Sequence, residues 1–218
     1  MIVKKLILGF YNVNCYIVSL GDAHENSCFI IDPGADFKAI TEYIFDEKLE
    51  PEFILNTHGH YDHIGAVPEL VDFYEIPFFL HKDDEFIVTD PEKNMSSLLG
   101  SNTLSLRTYK LIDDNDIKKF SSLDIEVYEM PGHTPGGISI KTRNYLFTGD
   151  LLFRGGVGRT DLPGGNSGQL SRSLKKIREF DSSLIVNPGH GATTTMENEI
   201  ANNYYLSDDF LEGGADWF

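Results

Sequence analysis

Thr57-His58-Gly59-His60-Tyr61-Asp62-His63-Ile64-Gly65 places four metal-ligating side chains within six residues, directly after the apolar run Phe53-Ile54-Leu55. A short apolar run bounded by polar residues reads as a buried strand. If the extended conformation persists past Asn56, side chains two residues apart share a side. His58, His60 and Asp62 then face one way and His63 another. That split suits two adjacent metals better than one, because a single ion cannot easily take four nearly consecutive side chains. Imidazoles with a carboxylate are ligands of the kind zinc prefers, and iron and manganese also accept them. A plain polar turn opening a helix needs a cap such as Thr57 or Asp62, but not three histidines. The stretch reads as a metal site.

The size of the chain allows one large domain or two small ones: it has 218 residues. Roughly 70% of the unfolded surface is buried at that size, enough for a core without disulfides. No internal repeat or linker interrupts it, so a single domain over 1–218 is expected. Cys15 and Cys28 lie in apolar runs without metal-binding spacing and read as buried thiols of a reducing compartment. Met1 to Phe10 is too short for a signal peptide and lacks a small-residue cleavage site, so it reads as a strand. No apolar stretch approaches the roughly 18 residues of a membrane span. The expectation is a cytoplasmic protein. The formal charge is −16, from 34 acidic and 18 basic residues. A field of that sign repels polyphosphates and membrane surfaces, which leaves a small-molecule substrate as the expected partner, with no nucleic acid and no membrane. Oligomeric state leaves no mark on the sequence.

Along the chain, strands are expected at Ile2–Leu8, Val13–Val18 and Cys28–Asp32, with Gly21, Asp22 and Asn26 marking the turn between the second and third. A helical pattern runs through Phe37, Ile40, Ile44, Phe45 and Leu49. After the metal-type stretch come a helix from Ile64 to about Tyr74 and a strand Ile76–Leu80. Residues 82–122 are the least legible. Helical pieces are expected at 82–88 and 92–99 and loop at 102–109 and 113–116, and the whole reads as a lid, a binding segment or a disordered insert. Strands then follow at Leu123–Tyr128, Ile138–Ile140 and Tyr145–Phe147. A glycine-rich loop covers Phe153 to Gly168, a helix 169–180, a strand Leu184–Val186 and a last helical stretch 195–206, before an aromatic tail from Phe210 to Phe218.

The recurring event is an apolar strand running into a turn that bears a ligand-type residue. His58, His60, Asp62 and His63 follow one strand, His133 another, Asp150 a third and His190 a fourth. Ligands gathered at strand ends are how many α/β sites are built. Of the seven histidines only His24 and His81 lie elsewhere.

His-x-His-x-Asp-His, then Gly-His-Thr-Pro-Gly at His133, Thr-Gly-Asp at Asp150 and Pro-Gly-His-Gly at His190 together resemble the metallo-β-lactamase superfamily, from Asp32 to His190. The resemblance implies an α/β fold of four layers, an αββα sandwich. It implies two divalent metal ions, with zinc expected and iron or manganese acceptable. His58, His60 and His133 would hold one ion, and Asp62, His63 and His190 the other. Asp150 would bridge them, with a water or hydroxide between. Asp62 and Asp150 would thus act in catalysis through the metal-bound hydroxide, and Asp62, as a ligand, would not be a free general base. An aspartate rather than a cysteine at Asp150 argues against the best-known zinc β-lactamases.

Gly158-Arg159-Thr160-Asp161-Leu162-Pro163-Gly164-Gly165 is similar to the loop of small hydroxyacylglutathione hydrolase (glyoxalase II)-like proteins. That implies hydrolysis of a thioester of the S-2-hydroxyacylglutathione type, whose thiolate leaves without a strong general acid. Arg159 would contact substrate or, equally, order the loop by pairing with Asp161. Tyr61 would border the pocket, and Asp32 would orient a ligand histidine through a hydrogen bond. His81, Arg154 and Trp217 read as structural. Full-length glyoxalase II enzymes add a C-terminal helical domain supplying part of the glutathione site, and this chain ends too soon after His190 to contain one. The net charge does not favour an anionic glutathione thioester either. The alternative is a mononuclear iron persulfide dioxygenase on the same fold, holding iron through His58, His133 and Asp150. A nuclease is disfavoured by the acidic balance, and a non-catalytic binding module by the complete ligand set.

Overall fold

The computed structural model describes residues 1–20, 26–99, 103–112, 120 and 123–212. Gly21, Asp22, His24, the loop at 113–116, Trp217 and the tail beyond 212 lie outside the described residues. The chain divides into two compact units, Met1–Ile112 and Asp113–Phe218.

The first unit is a sheet ordered β1 (Val3–Leu8), β2 (Val13–Ser19), β3 (Ser27–Ile31), β4 (Glu50–Leu55), β5 (Phe78–His81), β6 (Lys110–Ile112). β1 to β3 pair antiparallel, and β3 to β6 pair parallel. Every residue of β3 is buried, as parallel strands covered on both faces require. Ile40 and Ile44 of α1 (Phe37–Asp46) pack with Ile30, Ile54 and Phe78 of the sheet. The helix expected over 64–74 is two: α2 (Tyr61–Ile64) and α3 (Val67–Tyr74). Ala66 gives its N–H to Pro33 O at 2.9 Å instead of continuing the first helix, and Pro68 begins the second. Cys15 and Cys28 are buried free thiols, and burial raises both, Cys28 to about 12.

Residues 82–112 carry regular structure over their described part. They form a 3₁₀ turn at Lys82–Asp84, α4 (Glu85–Val88), α5 (Ser96–Leu99) and β6, which extends the parallel sheet beside β5. Three residues are too few to show a strand period, so β6 escapes a reading of the sequence.

The second unit carries β7 (Glu126–Glu129), β8 (Ile138–Thr142), β9 (Tyr145–Gly149), the ribbon β10 (Leu152–Phe153) with β11 (Gly156–Val157), then β12 (Ile185–Pro188) and β13 (Thr194–Thr195). Its sheet is ordered β13-β12-β9-β8-β7. β7 starts later than expected because Asp124 takes a left-handed φ of 58°. The ribbon lies inside the loop expected to be irregular. α6 (Ser167–Arg178) buries Leu170, Leu174 and Ile177 at helical spacing in one cluster with Met130, Leu146 and Val186. Asn166 caps its start by accepting from Gln169 N–H, and Lys175, Lys176 and Arg178 sit at its negative end. α7 (Met196–Asn202) and α8 (Asp208–Glu212) close the described chain. No described helix is long and apolar enough to cross a membrane.

Candidate functional site

In the first unit three adjacent parallel strands, β3, β4 and β5, end along one sheet edge. The turn after β3 holds Asp32, the turn after β4 holds Thr57 to His63, and the turn after β5 leads to Asp84. Asp32 is 1% exposed at φ 50°. Its Oδ1 accepts Thr57 N–H at 2.8 Å, and its Oδ2 accepts the Thr57 hydroxyl at 2.6 Å and His63 Nδ1–H at 3.0 Å. The hydroxyl has then given away its only proton, so it accepts from His58 Nδ1 at 3.1 Å. Both imidazoles therefore carry the proton on Nδ1 and the lone pair on Nε2, the tautomer a ligand histidine needs. Asp32, His58 and His63 offer ligand-type atoms within 4.8 Å of one another, but hydrogen bonds already engage both Asp32 oxygens. Orientation of its neighbours is the use this geometry shows.

The alternation expected of a continued strand does not hold. The strand ends at Leu55, where Thr57 turns to Asp32, and α2 brings His63 back toward His58. Their ring centroids are 4.1 Å apart, and those of His58 and His60 are 4.9 Å apart. His63 Nε2 lies 3.8 Å from Asp62 Oδ2. The helical turn follows from hydrogen bonds that only the fold supplies. Asn56 Nδ2 donates to His63 O at 2.8 Å, Gly59 N–H to Asp84 Oδ2 at 3.0 Å and Tyr61 N–H to Asn94 O at 2.8 Å. Gly34 passes so close that an added Cβ would lie 1.4 Å from Asp62 O. Reading the sequence missed Asn56, Asp84 and Asn94. The pattern of a strand followed by a ligand-type residue, applied to β5, is the signal that points to Asp84. His81, read as structural, is buried, and its Nδ1 accepts Asp83 N–H at 3.4 Å.

In the second unit β7 and β9 are each antiparallel to β8, and β12 is parallel to β9. β7, β9 and β12 therefore run the same way, and His133, Asp150 and His190 follow their ends. Gly189 N–H bonds Gly149 O at 2.8 Å, which sets the last two turns side by side. The turn of His133 is held on α6, where Ser173 donates to Pro131 O at 2.6 Å. His133 Nδ1 lies 2.7 Å from Arg159 O. A carbonyl only accepts, so the proton is on Nδ1 and the lone pair on Nε2. His133 Nε2 lies 3.6 Å and His190 Nε2 3.7 Å from Asp150 Oδ2.

The Arg159 side chain is exposed and forms a bidentate pair with Asp161, both contacts at 2.6 Å. That pair holds the Asp161 carboxyl down at about 2. Of the two roles considered for Arg159, loop ordering is thus visible, and its backbone also fixes His133. Tyr61 stands beside Asp62 on the wall of a cleft in the first unit.

Nitrogen and oxygen ligands sit about 2.0–2.2 Å from zinc, so two ligands of one tetrahedral ion lie roughly 3.4 Å apart. The His133–Asp150 and His190–Asp150 separations are close to that and beyond hydrogen-bond reach. The donor set fits a divalent metal.

The family profile described as the metallo-beta-lactamase superfamily matches residues 8–190. The chain belongs to the metallo-β-lactamase superfamily. Its fold is the metallo-β-lactamase fold, mixed sheets with helices, as expected from the motifs. Among relatives of this superfamily protein is the probable metallo-hydrolase YqgX of Bacillus subtilis, 33% identical over 208 residues, 94% of this chain and 97% of that protein. The hydroxyacylglutathione hydrolase GloC of Haemophilus influenzae is 31% identical over 202 residues, 90% of this chain and 94% of that protein. Two solved structures cover 94% of this chain and all of their own. BLEG-1, a B3 metallo-β-lactamase, has a TM-score of 0.85 at 33% identity, and TTHA1623 in a di-iron-bound form has 0.83 at 31%.

Proposed function

We propose that this metallo-β-lactamase superfamily protein hydrolyses thioesters of the S-2-hydroxyacylglutathione type. Divalent metal ions are held by His58, His60, Asp62 and His63 of the first unit and by His133, Asp150 and His190 of the second. The observation that carries the reading is the donor set. Three ligand histidines have their protons fixed on Nδ1 by Asp32, Thr57 and Arg159 O, and Nε2 atoms converge on Asp150 Oδ2. The names borne by YqgX and GloC support hydrolysis and, for GloC, a glutathione thioester.

A bound divalent ion supplies Lewis acidity and lowers the pKa of a coordinated water towards ~7. Asp32 holds the His63 proton on Nδ1 and, through the Thr57 hydroxyl, the His58 proton as well. Arg159 O does the same for His133. No side chain need protonate the leaving group, because a thiol of pKa ~8.5 leaves readily as thiolate. Zinc is the ion this donor set suits, and the di-iron form of TTHA1623 makes iron its competitor. Two buried thiols, Cys15 and Cys28, support a reducing, cytoplasmic setting.

The test is hydrolysis of S-lactoylglutathione by protein of measured metal content, followed by loss of thioester absorbance, with a chelated control. Hydrolysis abolished by the chelator is expected. No turnover by fully metallated protein overturns this substrate, and oxygen uptake with glutathione persulfide would then establish the dioxygenase instead.

A further inference from the structure

Glu199 of α7 is fully buried, and four neutral groups donate to it. Its Oε2 accepts Gly155 N–H at 2.8 Å and Asn203 Nδ2–H at 2.9 Å, and its Oε1 accepts the Thr194 hydroxyl at 2.7 Å and Asn198 Nδ2–H at 2.8 Å. A carboxylate taken out of water with no cation among these partners is a costly way to fill a core. Its use lies in what the donors hold. Two of them hold the β10–β11 ribbon. Gly155 lies in its turn at φ 72°, and Asn203 shares its other amide proton between Gly156 O at 3.2 Å and Phe153 O at 3.4 Å. The ribbon sets the Phe153 ring edge-to-face with His190, 6.2 Å between centroids. A third donor, Thr194, ends the return from His190 at the start of β13, where Thr193 also ties back to Asn187 Oδ1 at 3.2 Å. One buried carboxylate thus joins the ribbon that carries Phe153 to the return that follows His190.

We propose that Glu199 is a positioning residue for His190: it clamps the ribbon and the β12–β13 return around the ring, so that Nε2 stays turned to Asp150 Oδ2, 3.7 Å away. The inference rests on the reading of His190 as a metal ligand. A side chain already ordered loses less rotamer freedom when it takes a ligand, so the clamp shows first in metal affinity. Groups that orient ligand histidines are worth about 10–100-fold in that affinity.

The test uses Glu199→Gln, which keeps the shape but turns an amide N–H₂ on one pair of donors and so releases either the ribbon or the return. Zinc affinity, read by competition with a chromophoric chelator, is expected to fall about tenfold. Ile177→Val removes a buried methyl from α6 in the same unit, outside the clamp, and should leave zinc affinity within about twofold of the wild type. The second readout is the imidazole ¹⁵N NMR spectrum of the metal-free protein. His190 signals should move and broaden in Glu199→Gln, while those of His133 stay, and Ile177→Val should move neither. Unchanged zinc affinity in Glu199→Gln, an equal loss in Ile177→Val, or an unmoved His190 spectrum overturns the inference. If the wild type binds no zinc, the metal reading fails by itself, and the His190 spectrum alone decides the clamp.

Discussion

Asp32 reaches three neighbours at once: the Thr57 backbone, the Thr57 hydroxyl and His63, with His58 connected through that hydroxyl. Its role therefore shows in metal affinity before it shows anywhere else. Asp32→Ala is expected to weaken metal binding about 10–100-fold, read by competition with a chromophoric chelator. Asp150→Ala, which removes the carboxylate facing both His133 and His190, should abolish binding in the second unit, read as metal content after gel filtration. Unchanged metal content would remove the residue from the site. Asp32 was legible because it ends an apolar run at Asp-Pro-Gly. Its partners were not, since His63 lies 31 positions away and only the pairing of β3 with β4 sets the two together.

At the scale of elements, segments outside the proposed site hold the turns that bear its residues. Asp84 accepts Gly59 N–H from a 3₁₀ turn in the least legible part of the chain. Asp84→Ala leaves that buried N–H unsatisfied and should cost about 1–3 kcal/mol in urea unfolding, while Asp84→Asn, still an acceptor, should recover part of it. In the second unit Glu199 is buried and joins α7 to the β10–β11 ribbon. It accepts from Gly155 N–H, Thr194, Asn198 and Asn203. Burial pushes its pKa up, but these donors outweigh burial and hold the carboxyl below the ordinary glutamate value. A group whose folded pKa is depressed stabilises the fold above its unfolded pKa and loses that contribution as pH falls through the folded value. The stability gap between wild type and Glu199→Gln should thus be widest near neutral pH and close below ~4.3. A gap that widens in acid would contradict the sign. The period of α6 was plain in the sequence, whereas that of α2 was not: four residues span barely one turn of 3.6, too few to show a period, and hydrogen bonds with Asn56 and Asn94 shape them.

For the whole molecule, metal removal is the informative perturbation. An ion that binds only the folded chain adds about 2.7 kcal/mol at a hundred times its Kd. Chelation should then lower the melting temperature by about 5–10 °C for a chain of this length. No change would mean that no metal is bound in the fold. The single-domain expectation stands as a proposal, checked by calorimetry: one transition supports it, and two would give Met1–Ile112 and Asp113–Phe218 separate stabilities. By itself the sequence marked mixed α/β layers and the turns that bear ligand-type residues, because ligand identity and strand period are local properties of the chain, and the resemblance of those motifs implied the superfamily and its fold. Tertiary structure decided which ring nitrogen of His58, His63 and His133 carries the proton, and that Asp84 and Asn94 brace the first turn. Those facts depend on strand order and on hydrogen bonds between residues far apart in sequence, and no local pattern encodes either.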